Sequence, residues 1–186
     1  MKRLFDIFFV LIVSCVVVVP CFLIWLAVSL TSKGPGLYWS DRVGRHGRLY
    51  SMPKFRTMHI GTPSVASNLL DEPRSHLTPI GELLRKTSLD ELPQLWSILK
   101  NDMSFVGPRP ALFNQHDLIK LRKEFGVTRL TPGLTGWAQV NGRDELDISS
   151  KVALDFEYME HQSLCFDIRI ICLTLRMVLS RANISH

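Results

Sequence analysis

The sequence predicts a mainly α-helical fold with a small β-hairpin. It divides into a membrane-embedded, re-entrant helix–break–helix over residues 1–33 and one compact cytosolic domain over residues 34–186 with interfacial helices. Three observations carry this. Residues 7–30 form an uncharged apolar block. Two short strand-like runs flank a glycine-bearing turn just after it. From Ile80 onward, apolar residues recur at helical spacing.

With 46% hydrophobic and 21% charged residues in 186, the chain is not disordered. Its glycines and prolines show no period, which excludes collagen-like and repeat architectures. The 156 residues beyond residue 30 are enough for one core and one chemical site. A net charge of +5 suits an anionic partner, which could be nucleic acid, an acidic membrane surface or phosphorylated small molecules. Cys15, Cys21, Cys165 and Cys172 form no CxxC pair, and two of them lie in the apolar block, as in a reducing compartment. The histidines form no HxH or HExxH pattern, so no zinc site is expected.

Lys2 and Arg3 precede the apolar block as in a signal peptide, but the block exceeds the usual ~7–15 residue h-region. It is long enough to cross a bilayer once, yet Pro20 sits in its middle. Cations lie on both flanks: Lys2 and Arg3 before, Lys33, Arg42, Arg45 and Arg48 after. Under the positive-inside rule both ends prefer the cytoplasm, which a helix bent at Pro20 satisfies. A straight anchor kinked at Pro20 is the alternative.

Gly34-Pro35-Gly36 breaks the chain. Residues 37–40 and 48–52 then read as a hairpin around Val43-Gly44-Arg45-His46-Gly47, whose basic tip suits lipid headgroups or plain solvent. Residues 61–79 read mostly as loop. Leu83, Leu84, Leu92, Leu95, Trp96 and Leu99 mark helix, residues 118–125 a short charged helix, and residues 131–143 a loop punctuated by glycines. Residues 148–179 read as helical. Arg169 and Arg176 on the last part suit either an interfacial helix or core packing with snorkelling arginines.

The stretch Arg85-Lys86-Thr87-Ser88-Leu89-Asp90-Glu91-Leu92-Pro93 puts two adjacent carboxylates at an expected helix start. Ser88 with Glu91 forms a capping-box pattern; if Asp90 caps instead, Pro93 falls in the tolerant first turn. The helix dipole and nearby cations both favour ionised carboxylates. Such a pair suits metal binding or attack on phosphorus, and it also reads as simple capping. Arg109, fixed between Pro108 and Pro110, suits phosphate recognition. Gly136-Trp137-Ala138-Gln139-Val140-Asn141-Gly142-Arg143 combines an aromatic ring, amides and a cation, a set fit for a nucleotide or sugar phosphate.

In order, Phe5-Asp6, the Pro-broken block, Lys54-Phe55-Arg56-Thr57-Met58, residues 88–95, residues 102–110 and residues 132–143 closely resemble the bacterial sugar transferase family. These are monotopic polyprenol-phosphate phosphoglycosyl transferases, here in minimal form. The resemblance implies transfer of a sugar 1-phosphate from a UDP-sugar, an N-acetylated hexosamine derivative, to undecaprenyl phosphate. UMP leaves, Mg²⁺ assists, and the product initiates membrane glycoconjugate assembly. It implies Asp90 as nucleophile, through a covalent aspartyl intermediate, and Glu91 as a second carboxylate that holds Mg²⁺ with it or activates the acceptor. Arg85, Arg109, Arg143 and Lys54 would bind substrate phosphate. The implied partners are the UDP-sugar, undecaprenyl phosphate and membrane phospholipid, with no nucleic acid; a homodimer is one option. The implied location is the bacterial inner (cytoplasmic) membrane, with the active site on its cytoplasmic face. The competing classes are a non-catalytic membrane module, in which the dyad merely caps a helix, and a metal-dependent phosphatase that passes the phosphoryl group to water.

Overall fold

A computed structural model describes residues 2–65, 72, 74–142 and 146–183. Its first element is α1 (Lys2–Thr31), a single helix of 30 residues with Pro20 inside it. The expected division into two helices at Pro20 is therefore not seen: Pro20 removes one hydrogen bond, and the apolar residues on both sides continue the helix.

What orients α1 is one stripe of side chains. Arg3, Asp6, Val10, Val13, Val17, Cys21, Ile24 and Val28 recur every three or four residues and face the rest of the protein. Val10 and Val28 are both fully buried, although 18 residues apart. Both halves of a helix about 45 Å long at 1.5 Å per residue thus pack on the same domain. The remaining surface of α1 is apolar and exposed, with Leu4, Phe8, Val16, Val19, Phe22 and Leu30 each more than half accessible.

The charged start of α1 is held by polar contacts. Lys2 Nζ pairs with the buried Asp167 carboxylate and reaches Tyr158 Oη at 3.2 Å. Arg3 donates to the Ile98 and Leu99 carbonyls at the end of a short helix. Asp6, buried in an apolar helix, accepts from Ser104 Oγ and the Phe105 amide, both at 3.1 Å. Residues that read as topology charges are thus consumed by internal partners.

The hairpin follows. Strands β1 (Leu37–Val43) and β2 (Leu49–Phe55) pair antiparallel from Leu37↔Phe55 to Val43↔Leu49. They run further than the sequence pattern indicated, so Lys54 belongs to β2. At their tip, Arg45 Nε donates to the Arg129 carbonyl at 2.8 Å.

Beyond the hairpin come α2 (Gly81–Lys86), a 3-10 helix over Leu89–Gln94 and α3 (Leu95–Leu99). Then β3 (Ser104–Val106) leads to β4 (Ala111–Leu112), which adds to β1 as a third strand through Arg42↔Leu112. Helix α4 (His116–Glu124) is the expected charged helix. Residues 131–142 are more ordered than the expected loop: β5 (Gly133–Thr135) pairs parallel with β3, and α5 (Trp137–Val140) adds one turn. The tail is two helices, α6 (Ile148–Glu160) and α7 (Leu164–Asn183). Met58 bridges Leu77 across the expected 61–79 loop, part of which lies outside the described residues.

The main core joins Val10 of α1, Met52 of β2, Ile98 of α3, Phe105 of β3, Tyr158 of α6 and Ile170 of α7. Helix α7 packs on the core by one face and exposes the other. Asp167 and Ile170 are buried, while Ile168 and Leu175 are exposed beside Arg169 and Arg176. Arg169 lies over the Trp137 ring, 5.9 Å from its centroid.

Two backbone details shape the chain around β3. Asn101 turns the chain at φ 70°, letting Asp102 N and Met103 N both donate to the Ser97 carbonyl. Glycine is the residue that meets least resistance there, so Asn101→Gly is expected to stabilise the protein by about 0.5–1 kcal/mol, read as a raised melting temperature. Further on, a Cβ on Gly133 would stand 2.1 Å from the Gly107 amide nitrogen, so β5 can approach the loop after β3 only with glycine at that point.

Candidate active site

The two adjacent carboxylates sit inside the 3-10 helix Leu89–Gln94, not at the start of an α-helix. Ser88 precedes them in the left-handed region, at φ 58°, and its side chain caps nothing, so neither expected capping arrangement forms. Pro93 explains the tighter helix: in an α-helix its ring would clash with the carbonyl four residues back. Since α3 begins only at Leu95, a long helix dipole does not act on the pair.

Lys54 Nζ, from β2, lies 2.7 Å from Glu91 Oε1 and 3.9 Å from Asp90 Oδ2. Arg109 Nη2, from the loop after β3, reaches the same Glu91 oxygen at 3.0 Å. Arg85, on α2, donates from Nε to Thr57 Oγ1 at 3.0 Å and acts electrostatically on Asp90. Lys54, Arg85, Asp90, Glu91 and Arg109 therefore share one neighbourhood. Arg143, expected with them, lies outside the described residues.

The two acids differ in state. Burial would raise the Glu91 carboxyl, but Arg109 and Lys54 outweigh it and hold the group well below the ordinary carboxylate range. For Asp90 burial wins: its carboxyl is pushed up from the usual value despite Lys54 and Arg85. The sequence reading made both equally favoured as anions; the structure makes Glu91 the settled anion and Asp90 the poorly compensated one. Burial also lowers the Lys54 ammonium and the Arg85 guanidinium, against Glu91 and Asp90 respectively.

Arg109 is positioned by its backbone. The carbonyls of Pro108, Arg109 and Pro110 each accept from a separate donor: Gly133 N at 2.9 Å, Arg122 Nη1 at 2.8 Å and Arg42 Nη1 at 3.2 Å. Arg122 is itself locked, with Nε and Nη2 both on the buried Asp155 Oδ2 at 2.9 and 2.7 Å. Arg42 is further braced by Ser40, and burial, with Arg109 nearby, lowers its guanidinium to about 10.

Arg42, Arg122 and Asp155 were not foreseen. The hairpin register could have found Arg42: Tyr38↔Lys54, Ser40↔Met52 and Arg42↔Tyr50 are cross-strand pairs on one face. Nothing local in sequence joins Arg122 to Asp155.

Two further groups stand out on α5. The Trp137 indole nitrogen and both polar atoms of the Gln139 carboxamide are buried without a hydrogen-bond partner among the described residues. As for metals, the described residues hold no cluster of three or more His, Cys, Asp or Glu and so form no all-protein cage among themselves. The adjacent carboxylates of Asp90 and Glu91 fit the way Mg²⁺ is usually held, by one or two carboxylates plus phosphates.

The family model for bacterial sugar transferases matches residues 1–181. The chain belongs to the bacterial sugar transferase family. It is 41% identical to the uncharacterized sugar transferase EpsL of Bacillus subtilis, over 100% of this chain and 91% of that protein. It is 36% identical to the undecaprenyl-phosphate galactose phosphotransferase of Salmonella typhimurium, over 97% of this chain and 41% of the relative. It is also 36% identical to the UDP-glucose:undecaprenyl-phosphate glucose-1-phosphate transferase of Escherichia coli, over 94% of this chain and 39% of the relative. The chain thus spans most of the Bacillus protein but only about two-fifths of the two larger transferases. As a bacterial sugar transferase it joins relatives named for moving galactose or glucose phosphate onto undecaprenyl phosphate.

Proposed function

We propose that this protein transfers a sugar 1-phosphate from a UDP-sugar to undecaprenyl phosphate, with an N-acetylated hexosamine derivative as donor. The observation that carries the proposal is the unequal pair: Glu91 is committed to Lys54 and Arg109, while the buried Asp90 keeps an under-compensated carboxylate beside the same cations. Asp90 attacks the β-phosphorus of the donor. The bond from that phosphorus to the bridging oxygen breaks, and UMP leaves with the electron pair. An oxygen of undecaprenyl phosphate then attacks the same phosphorus, freeing the Asp90 carboxylate and giving undecaprenyl-diphospho-sugar. Lys54, Arg85 and Arg109 bind the phosphate charges, with Arg143 assigned to the same task. Mg²⁺, when held by Asp90 and Glu91, supplies neutralisation between carboxylate and diphosphate. The unpartnered Trp137 and Gln139 groups support donor binding at that loop.

For topology we propose a re-entrant segment over residues 1–33, bent at Pro20, in the bacterial inner membrane, with residues 34–186 as the catalytic domain on the cytoplasmic face. Packing of both halves of α1 on one domain supports this, because a straight crossing would carry one half away from it. The exposed Leu and Ile side chains of α7, with its two arginines, suit seating on phospholipid headgroups.

The test is UMP release by the membrane-bound protein from a panel of UDP-sugars, with undecaprenyl phosphate and Mg²⁺. Release from one or two donors, lost on chelation with EDTA and restored by Mg²⁺, is the expected result. Free sugar phosphate in place of lipid product would identify a phosphatase, and no UMP from any donor would reject the transferase.

A further inference from the structure

The chain leaves α1 through a tight junction. A Cβ on Gly36 would stand 2.7 Å from Ser29 Oγ and 2.8 Å from Trp25 Cδ1, so β1 starts hard against the helix. Beside this junction opens a cleft of about 500 Å³, walled by Trp25, Leu37, Tyr38, Trp39 and Arg56. Its aromatic walls are unusually open to the outside: Trp25 is 42% and Trp39 51% exposed. Phe22 stacks on Trp25, making the cleft continuous with the exposed apolar face of α1.

Arg56 gives the cleft its charge. Its Nε is spent on the Pro35 carbonyl at 2.8 Å, and its backbone amide is tied to the Gly36 carbonyl at 2.9 Å. Its two terminal nitrogens have no hydrogen-bond partner among the described residues, so a braced guanidinium offers two donors to an incoming anion. The hairpin register links the cleft to a residue of the candidate active site. Tyr38, in its wall, is the cross-strand partner of Lys54, which holds Glu91. Arg56 follows Lys54 by two residues, about 7 Å along an extended chain.

We infer that this cleft is the docking site for the lipid-phosphate acceptor, with Arg56 binding its phosphate and Trp25 and Trp39 holding the first isoprene units. The inference rests on the transferase reading and names where its second substrate enters. A free aqueous phosphate would not need two exposed tryptophans; an ordinary solvated arginine would not need its Nε fixed. Interfacial tryptophans and an arginine suit a ligand with an apolar tail and an anionic head.

The experiment measures steady-state KM for undecaprenyl phosphate and for the UDP-sugar in nanodiscs, with Arg56→Gln, Arg56→Lys and Trp39→Ala. Arg56→Gln is expected to raise the acceptor KM at least tenfold without moving the donor KM, and Arg56→Lys to recover part of that loss. Trp39→Ala is expected to raise KM more for undecaprenyl phosphate than for a two-isoprene prenyl phosphate. Equal shifts in both KM values, or a fall in kcat alone, would make Arg56 a structural residue and overturn the inference. Loss of vesicle retention with an unchanged acceptor KM would reassign the cleft to bulk phospholipid and also overturn it. A second readout needs no turnover: undecaprenyl phosphate added without donor is expected to change the tryptophan emission of the wild type, and less so that of Arg56→Gln. That change in a protein that releases no UMP would retain the lipid-phosphate cleft and reject the transferase reading, whereas its absence would overturn the cleft.

Discussion

Replacing Asp90 with Asn is expected to cut UMP release by roughly 10³-fold or more, the scale on which enzymes lose rate with their nucleophile. The same variant is expected to melt at a higher temperature than the wild type. Asn keeps the shape of Asp90 and removes the charge that burial disfavours. The pH dependence has a definite sign. An acid whose folded pKa is raised destabilises the folded state above that pKa, and the deficit vanishes as the pH falls through it. The gap in melting temperature between Asp90→Asn and wild type is therefore widest near neutrality and closes on acidification. Glu91 acts oppositely. Its depressed pKa gives stability that is present above the ordinary carboxylate range and lost as the pH falls toward the folded value. That loss is common to both proteins and largely cancels in the comparison. A variant that melts lower than wild type at neutral pH would mean that Asp90 is a structural partner of Lys54. Retained UMP release would remove Asp90 from the nucleophile role.

The difference in state between the two acids has a traceable source. Both acids are adjacent in sequence, yet the 3-10 helix turns them differently. Glu91 meets two cations that arrive from β2 and from the loop after β3; Asp90 meets Lys54 only at 3.9 Å. A sequence reading sees two neighbouring carboxylates and nearby arginines. It does not see which acid the cations reach, because that depends on side-chain direction in the tight helix enforced by Pro93.

The same limit explains what was and was not legible elsewhere. The hairpin, the charged helix α4 and the helical tail followed from periodicity and turn residues, which are local. Lys54, Arg85, Asp90, Glu91 and Arg109 were singled out by motif, and the structure brings them together. The parallel pair β3 and β5 is three residues on each side, too short to show a period, and depends on glycine-to-backbone contact between Gly107 and Gly133. Lys2 and Arg3 read as flanking charges, and Asp6 only as part of a motif, because their partners are about 95 to 165 residues away. Their pairing accounts for an aspartate inside an apolar helix, which hydropathy alone leaves unexplained.

Asp155→Leu is expected to destabilise the protein by about 3–5 kcal/mol, the cost of leaving a buried charge without its partner. Arg122 is nearly buried and spends two of its donors on one Asp155 oxygen, so removing the carboxylate strands a guanidinium in the interior. The pair itself contributes far less than that figure. Burial pushes the Asp155 carboxyl above its ordinary value even with Arg122 beside it, which means desolvation consumes most of the attraction. An apolar pair of similar size is thus expected to restore the fold: Arg122→Met added to Asp155→Leu should recover most of the lost melting temperature. It should not recover transfer. Arg122 Nη1 also holds the Arg109 carbonyl, and without it one of three donors that fix the loop between Pro108 and Pro110 is gone. Arg109 then loses part of the bracing that holds it beside Glu91, and Glu91 part of the charge state that separates it from Asp90. The readout is a double-mutant comparison of melting temperature with UMP release. Stability recovered while release stays at least tenfold down makes Arg122 a positioning residue for Arg109; joint recovery would make the ion pair a packing element with no bearing on the site.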